Sequence, residues 1–88
     1  MLEVRRHKEV VGDGLSTSAT VRHNFGTQDY LVNVYTPEYD EVPISELTLT
    51  KHLNYVVIEH AWVELLPDGA KRCDAPIPKD GWRVVVTA

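Results

Sequence analysis

Residues 22–35 read Arg-His-Asn-Phe-Gly-Thr-Gln-Asp-Tyr-Leu-Val-Asn-Val-Tyr, and how this stretch is understood decides the fold. Six polar or flexible side chains stand between two segments that alternate like β-strands. From Thr20 to Phe25, Val21, His23 and Phe25 fall on one face and Thr20, Arg22 and Asn24 on the other. Tyr30 to Tyr35 repeats the pattern, with Tyr30, Val32 and Val34 opposing Leu31, Asn33 and Tyr35. The run between them is then a corner. Asn24 and Asp29 are side chains that bond nearby backbone N–H groups, and Gly26 permits a positive φ. His23, inward beside Phe25, is expected to donate a ring N–H to a backbone carbonyl and hold the corner shut.

Working outward, the period of two recurs. Glu46 to Lys51 alternates so as to turn Leu47 and Leu49 inward. Tyr55 to Leu66 is a longer apolar run, long enough to bend or carry a bulge. Trp82 to Thr87 is rich in β-branched residues, and Leu2 to Val11 forms a weakly alternating N-terminal strand. Gly12-Asp13-Gly14, Thr36 to Asp40, Pro67-Asp68-Gly69 and Pro76 to Gly81 supply the turns, each with Gly, Pro or Asp where a reversal needs them. Helical periodicity is nearly absent. The expected fold is all-β, a small antiparallel β-sandwich of jelly-roll or immunoglobulin-like kind, with an extended hairpin insertion over residues 57–74. Residues 1–17 read as an N-terminal strand or arm and residues 18–88 as the domain.

Eighty-eight residues make one domain with a thin core, since a chain this short buries only about 60–65% of its unfolded surface. Oligomerisation follows as an expectation. A net charge of −4, with Arg5, Arg6 and Lys8 as the only basic cluster, argues against a nucleic-acid surface. No apolar run reaches the ~20 residues of a membrane-spanning helix, and Met1 to Val10 has no apolar signal-peptide core, so neither a membrane nor a secretion route is expected. Cys73 is the sole cysteine, which suits a reducing cytoplasm and leaves no CxxC metal site.

Chemistry is poorly represented. The one catalytic set would be His23 with Asp29 and Ser16 or Ser18, without a nucleophile elbow. His7, His23, His52 and His60 lack the close spacings of a metal site, and Glu38 to Glu41 lacks the order of a calcium loop. The reading is of a protein that is not an enzyme, with no cofactor and no metal.

The residues Val21 to Tyr35, with His-Asn-Phe-Gly-Thr closing one strand and Leu-Val-Asn-Val-Tyr forming the next, resemble a pattern in small β domains of bacteriophage minor tail, tail-tip and tail-fibre proteins of the actinophage type. Glu41-Val42-Pro43-Ile44 resembles that family's short following strand, and Ala75-Pro76 with Gly81 to Val86 resembles its closing segment. The resemblance covers roughly residues 18–88. The extra hairpin, Val57 to Asp74, departs from it, as does the presence of little but Met1 to Thr17 ahead of the domain. The resemblance implies a virion structural protein, made in the host cytoplasm, that acts by assembly.

On that reading its partners are itself, as a homotrimer, and a larger tail or capsid protein. A head-decoration protein is an alternative, and a host-glycan-binding module, using Tyr30, Tyr35, Tyr39 and Tyr55, is a second. The expected interface is Trp62, Val63, Leu65 and Leu66 of the hairpin with Val4 and Val10 of the N-terminal strand, Trp62 being the anchor. Leu2 to Val11 is expected to add to a neighbouring subunit's sheet edge, so that removing residues 1–13 would leave a folded monomer. Trp82 is expected in the core.

Overall fold

The structure, a computed structural model, describes residues 5–88. Eight strands follow one another: β1 (Arg6–Val11), β2 (Ser18–Arg22), β3 (Leu31–Tyr35), β4 (Thr48–Lys51), β5 (Tyr55–Glu59), β6 (Ala61–Leu66), β7 (Gly69–Asp74) and β8 (Trp82–Thr87). One 3₁₀ turn, Ile44–Glu46, is the only helical element among the described residues. All pairings are antiparallel, and the protein is all-β. β1, β8 and β3 form one sheet in that order, β2, β5 and β4 a second, and β6 pairs with β7 alone.

The alternation read from the sequence becomes burial. Trp82, Val84 and Val86 of β8 are buried while Arg83, Val85 and Thr87 are less so, and the inward set packs with Val11 and Val34 of the same sheet. Val21, Val56 and Ile58 of the second sheet join the same core, so the two three-stranded sheets share one apolar interior. Each such side chain contributes on the order of 2 kcal/mol of burial. Leu47 and Leu49 pack against its margin, as their spacing predicts. Ile77, from the loop between β7 and β8, is wholly shielded and closes one end.

Backbone bonds tie that loop to the one after β1. The Gly14 N–H donates to Ile77 O (3.0 Å), the Ile77 N–H to Ser16 O (2.9 Å) and the Asp80 N–H to Gly12 O (3.1 Å). Asp13 organises the turn itself. Its carboxylate accepts from the Ser16 N–H, the Leu15 N–H and the Ser16 hydroxyl, and these bonds lower its pKa from 3.8 to about 2.

Four expectations change. The strand predicted over Thr20–Phe25 ends at Arg22, because Asn24 turns the chain with φ +59°. The long run Tyr55–Leu66 divides at His60, so that β5 lies in the core sheet and β6 leaves it for the hairpin. Glu41–Ile44 supplies a single bridge, Tyr35 opposite Glu41, because Pro43 has no N–H to extend a ladder. Arg6–Val11 pairs along its own β8, and deleting residues 1–13 would remove an edge strand and the buried Val11, so a folded monomer is not the expected product. Val4, one of the expected interface residues, lies outside the described residues.

Candidate functional site

The opening stretch is a backbone corner built on Asn54. The N–H groups of His23 and Asn24 both donate to Asn54 O at 2.9 Å, and Asn54 Oδ1 accepts from the Gly26 N–H at 2.9 Å. Gly26 has the positive φ expected of it, +69°. Tyr30 fastens the far side: its hydroxyl lies 3.0 Å from His52 O and 3.1 Å from Tyr55 O, and accepts from the His52 N–H. The expected capping roles shift accordingly. Asn24 acts through its left-handed backbone, Asp29 donates its N–H to Thr27 Oγ1, and Asn54, an unremarked turn residue in the sequence, does the capping.

His23 reverses its expected role. Its Nδ1 accepts the Phe25 N–H at 3.0 Å, and its Nε2 is buried with no hydrogen-bond partner among the described residues. The ring lies between Phe25 and Tyr30, with centroids 4.7 and 4.3 Å away. Burial lowers its pKa from the ordinary 6.5, and the positive charges of His7 and Arg5 push the same way. A folded-state pKa below the unfolded value means that stability is complete above pH 6.5 and lost as pH falls below it. His23→Asn, whose Oδ1 can still accept the Phe25 N–H, should flatten this loss between pH 7 and 5, where one proton gives a slope of at most about 1.4 kcal/mol per pH unit. Equal slopes in denaturant unfolding of wild type and variant would refute it.

The catalytic set is not assembled. Ser18 opens β2 and His23 follows its last residue, roughly 16 Å away at ~3.3 Å rise per residue, and Ser16 is bound to Asp13. The histidines are equally dispersed. His7 meets Glu9 at 3.2 Å, His52 stacks on Tyr55, and His60 lies between Trp62 and Trp82. Among the described residues no three His, Cys, Asp or Glu side chains cluster as metal ligands would.

What remains as candidate sites are two surfaces. The first is the β6–β7 hairpin, with a two-residue turn at Pro67-Asp68. It is rooted where the His60 N–H donates to Thr17 O and the Ala75 N–H to His60 O. Ala61 is buried at the root and Trp62 half-buried, lining a small cavity with His60 and Glu46. Beyond it Val63 is 63% and Leu65 85% exposed, so these two carry the open apolar area rather than Trp62. Leu66, on the Trp62 face, is 40% exposed. Cys73 lies on that face with Sγ 3.6 Å from Glu64 Oε2, and partial burial and that carboxylate raise its pKa.

The second surface is the outer face of β1, β8 and β3. Tyr35 and Tyr39 line a concavity of about 530 Å³ there with Arg6, Lys8, Arg83 and Glu9. Of the four tyrosines considered for glycan binding, only these two come together: Tyr30 is buried in the corner and Tyr55 belongs to the other sheet. Arg83 could not be associated with Arg6 and Lys8 from the sequence, since only strand pairing, which sets Arg83 opposite Val10, brings them to one concavity.

Fold and surfaces thus define a small all-β module with one core, a projecting hairpin and a basic, tyrosine-bearing face. Compared with models of protein families, with curated proteins and with solved structures, the chain matches none.

Proposed function

We propose that this protein is a structural subunit of a bacteriophage virion, a small β-sandwich of the tail tip, fibre or baseplate that acts by protein–protein assembly. The observation that carries the reading is the hairpin. It projects from a domain whose core closes without it, and Val63 and Leu65 hold apolar side chains in solvent. The radius of gyration is 14.1 Å with a long axis of 53 Å, against about 12 Å expected for a compact chain of this length. An exposed apolar strand on a long arm fits a buried partner contact. The resemblance of Val21 to Tyr35 to phage tail domains supplies the virion context.

The test is the mass in solution, by light scattering behind a sizing column over a wide concentration range. A homotrimer is expected. Val63→Glu with Leu65→Glu should convert it to a monomer with an unchanged circular dichroism spectrum, a loss of at least ~100-fold in affinity, or about 2.7 kcal/mol. A wild type that is monomeric throughout, or a trimer indifferent to both glutamates, would remove the hairpin as the self-assembly contact.

A further inference from the structure

β1 is an edge strand, and three of its residues give that edge both its free main-chain groups and most of its charge. The Arg5 N–H donates to Ala88 O (3.1 Å) and the Ala88 N–H to Arg5 O (2.9 Å), a mutually bonded pair. From there the register runs without a bulge from Arg6 opposite Thr87 to Val11 opposite Trp82. Bonded pairs alternate along an antiparallel ladder, so His7, Glu9 and Val11 turn their backbone groups toward β8. Arg6, Lys8 and Val10 turn theirs outward, where no described strand pairs with them. Their side chains are exposed on the outer face, beside Arg83 and the two tyrosines.

Among the described residues Arg6, Lys8 and Arg83 form no ion pair, and Glu9, the one carboxylate lining the same concavity, is bonded to His7. The Arg–carboxylate pair among the described residues is Arg72–Glu59, while His7 hydrogen-bonds Glu9 and Arg83 donates to the backbone oxygen of Asp80 at 2.7 Å. In a chain of net charge −4, this is a local strip of the opposite sign. Period-two geometry adds a constraint. A strand laid along β1 would carry every second side chain beside Arg6 and Lys8 on the outer face.

The geometry points to β1 as an acceptor edge for an extended acidic segment of a partner protein. That segment would bond the outward N–H and C=O groups of Arg6, Lys8 and Val10 and set carboxylates at alternate positions against Arg6 and Lys8, with Arg83 one strand further in. A saccharide on the tyrosines would leave those main-chain groups unpartnered, which is why a strand is the better occupant. Lysine on an edge also serves to repel chance pairing, and an acidic strand is the kind that such a row admits. The contact goes beyond the hairpin interface and is separate from it, so either can fail alone.

The test titrates the isotopically labelled full chain with an eight-residue peptide of alternating glutamate and valine. An alternating lysine–valine peptide and an oligogalacturonate serve as comparisons. The acidic peptide should shift the Arg6, Lys8 and Val10 amides and slow their hydrogen exchange, bind at least ~10-fold more tightly than the basic one, and weaken in about 0.5 M salt. Lys8→Pro removes an outward N–H that no internal bond uses and is tolerable on an edge. It should cost about 10-fold or more in affinity, as that N–H no longer bonds the peptide. Arg6→Glu with Lys8→Glu, which leaves the main chain intact, should abolish binding and decides the matter if the proline variant does not fold. Equal binding of the two peptides, silent amides at these three positions, or oligogalacturonate shifting Tyr35 and Tyr39 while the peptides do nothing would each overturn the assignment.

Discussion

Gly12→Ala should remove a large share of this protein's stability, whereas Gly14→Ala, two residues on, should cost only what its backbone costs. Both glycines have positive φ, +117° and +78°. They differ in space. A Cβ on Gly12 would stand 2.0 Å from Pro78 O and 3.0 Å from Ile77 Cγ2, while one on Gly14 meets nothing nearer than Lys79 Cβ at 3.6 Å. The left-handed conformation alone costs a non-glycine residue about 1–2 kcal/mol, which sets the expected loss at Gly14. At Gly12 the clash is with backbone, so the loop carrying Ile77 must move, and the loss should reach roughly 4 kcal/mol or more. A domain of 88 residues commands only some 5–13 kcal/mol in all. Urea midpoints of the two variants provide the measurement, and equal midpoints would refute the close approach.

The second large effect is expected at Ile77→Ala, at roughly 2–5 kcal/mol. Ile77 belongs to no strand, yet none of its surface is accessible, and its backbone is bonded on both sides to Gly14 and Ser16. Those bonds keep the loop in place after truncation, so the site cannot collapse around the missing atoms and a cavity remains. Leu65→Ala, which removes a similar volume from the exposed hairpin, should change stability by less than about 0.5 kcal/mol. The comparison is informative only if both variants keep the wild-type dependence of unfolding free energy on urea. An Ile77→Ala loss no larger than that of Leu65→Ala would mean that the loop does not seal the core.

These two residues also show where the sequence is legible. β3 and β8 are plain in it because their inward residues alternate without interruption, and β8 runs over the predicted Trp82–Thr87. The hairpin is announced by Pro67-Asp68-Gly69, and its apolar residues by their excess over what a peripheral strand can bury. Ile77 is hidden because an isolated apolar residue between Pro76 and Pro78 has no period to reveal it. Asn54 is hidden for a related reason: its work is done by one carbonyl and one amide oxygen, and neither leaves a pattern along the chain. His23 was found, but whether a ring nitrogen donates or accepts depends on the N–H that arrives beside it, here from Phe25. The basic face was half found. Arg6 and Lys8 are neighbours in sequence, but Tyr35, Tyr39 and Arg83 reach them only through the order of strands in the sheet.

That order bears on how the molecule comes to exist. The middle strand of the β1, β8, β3 sheet is the one made after all the others. While the chain is being synthesised, β1 and β3 have no strand to join, and Val11 and Val34 wait in water until Trp82 to Thr87 have emerged. Completion of this sheet is therefore a late event made of distant pairings, slow for a chain of this size, whereas β2, β5 and β4 and the β6–β7 hairpin have their partners earlier. Any product that stops short of β8 is left with unpaired edges and an open apolar face, the surface on which nascent β-rich chains aggregate.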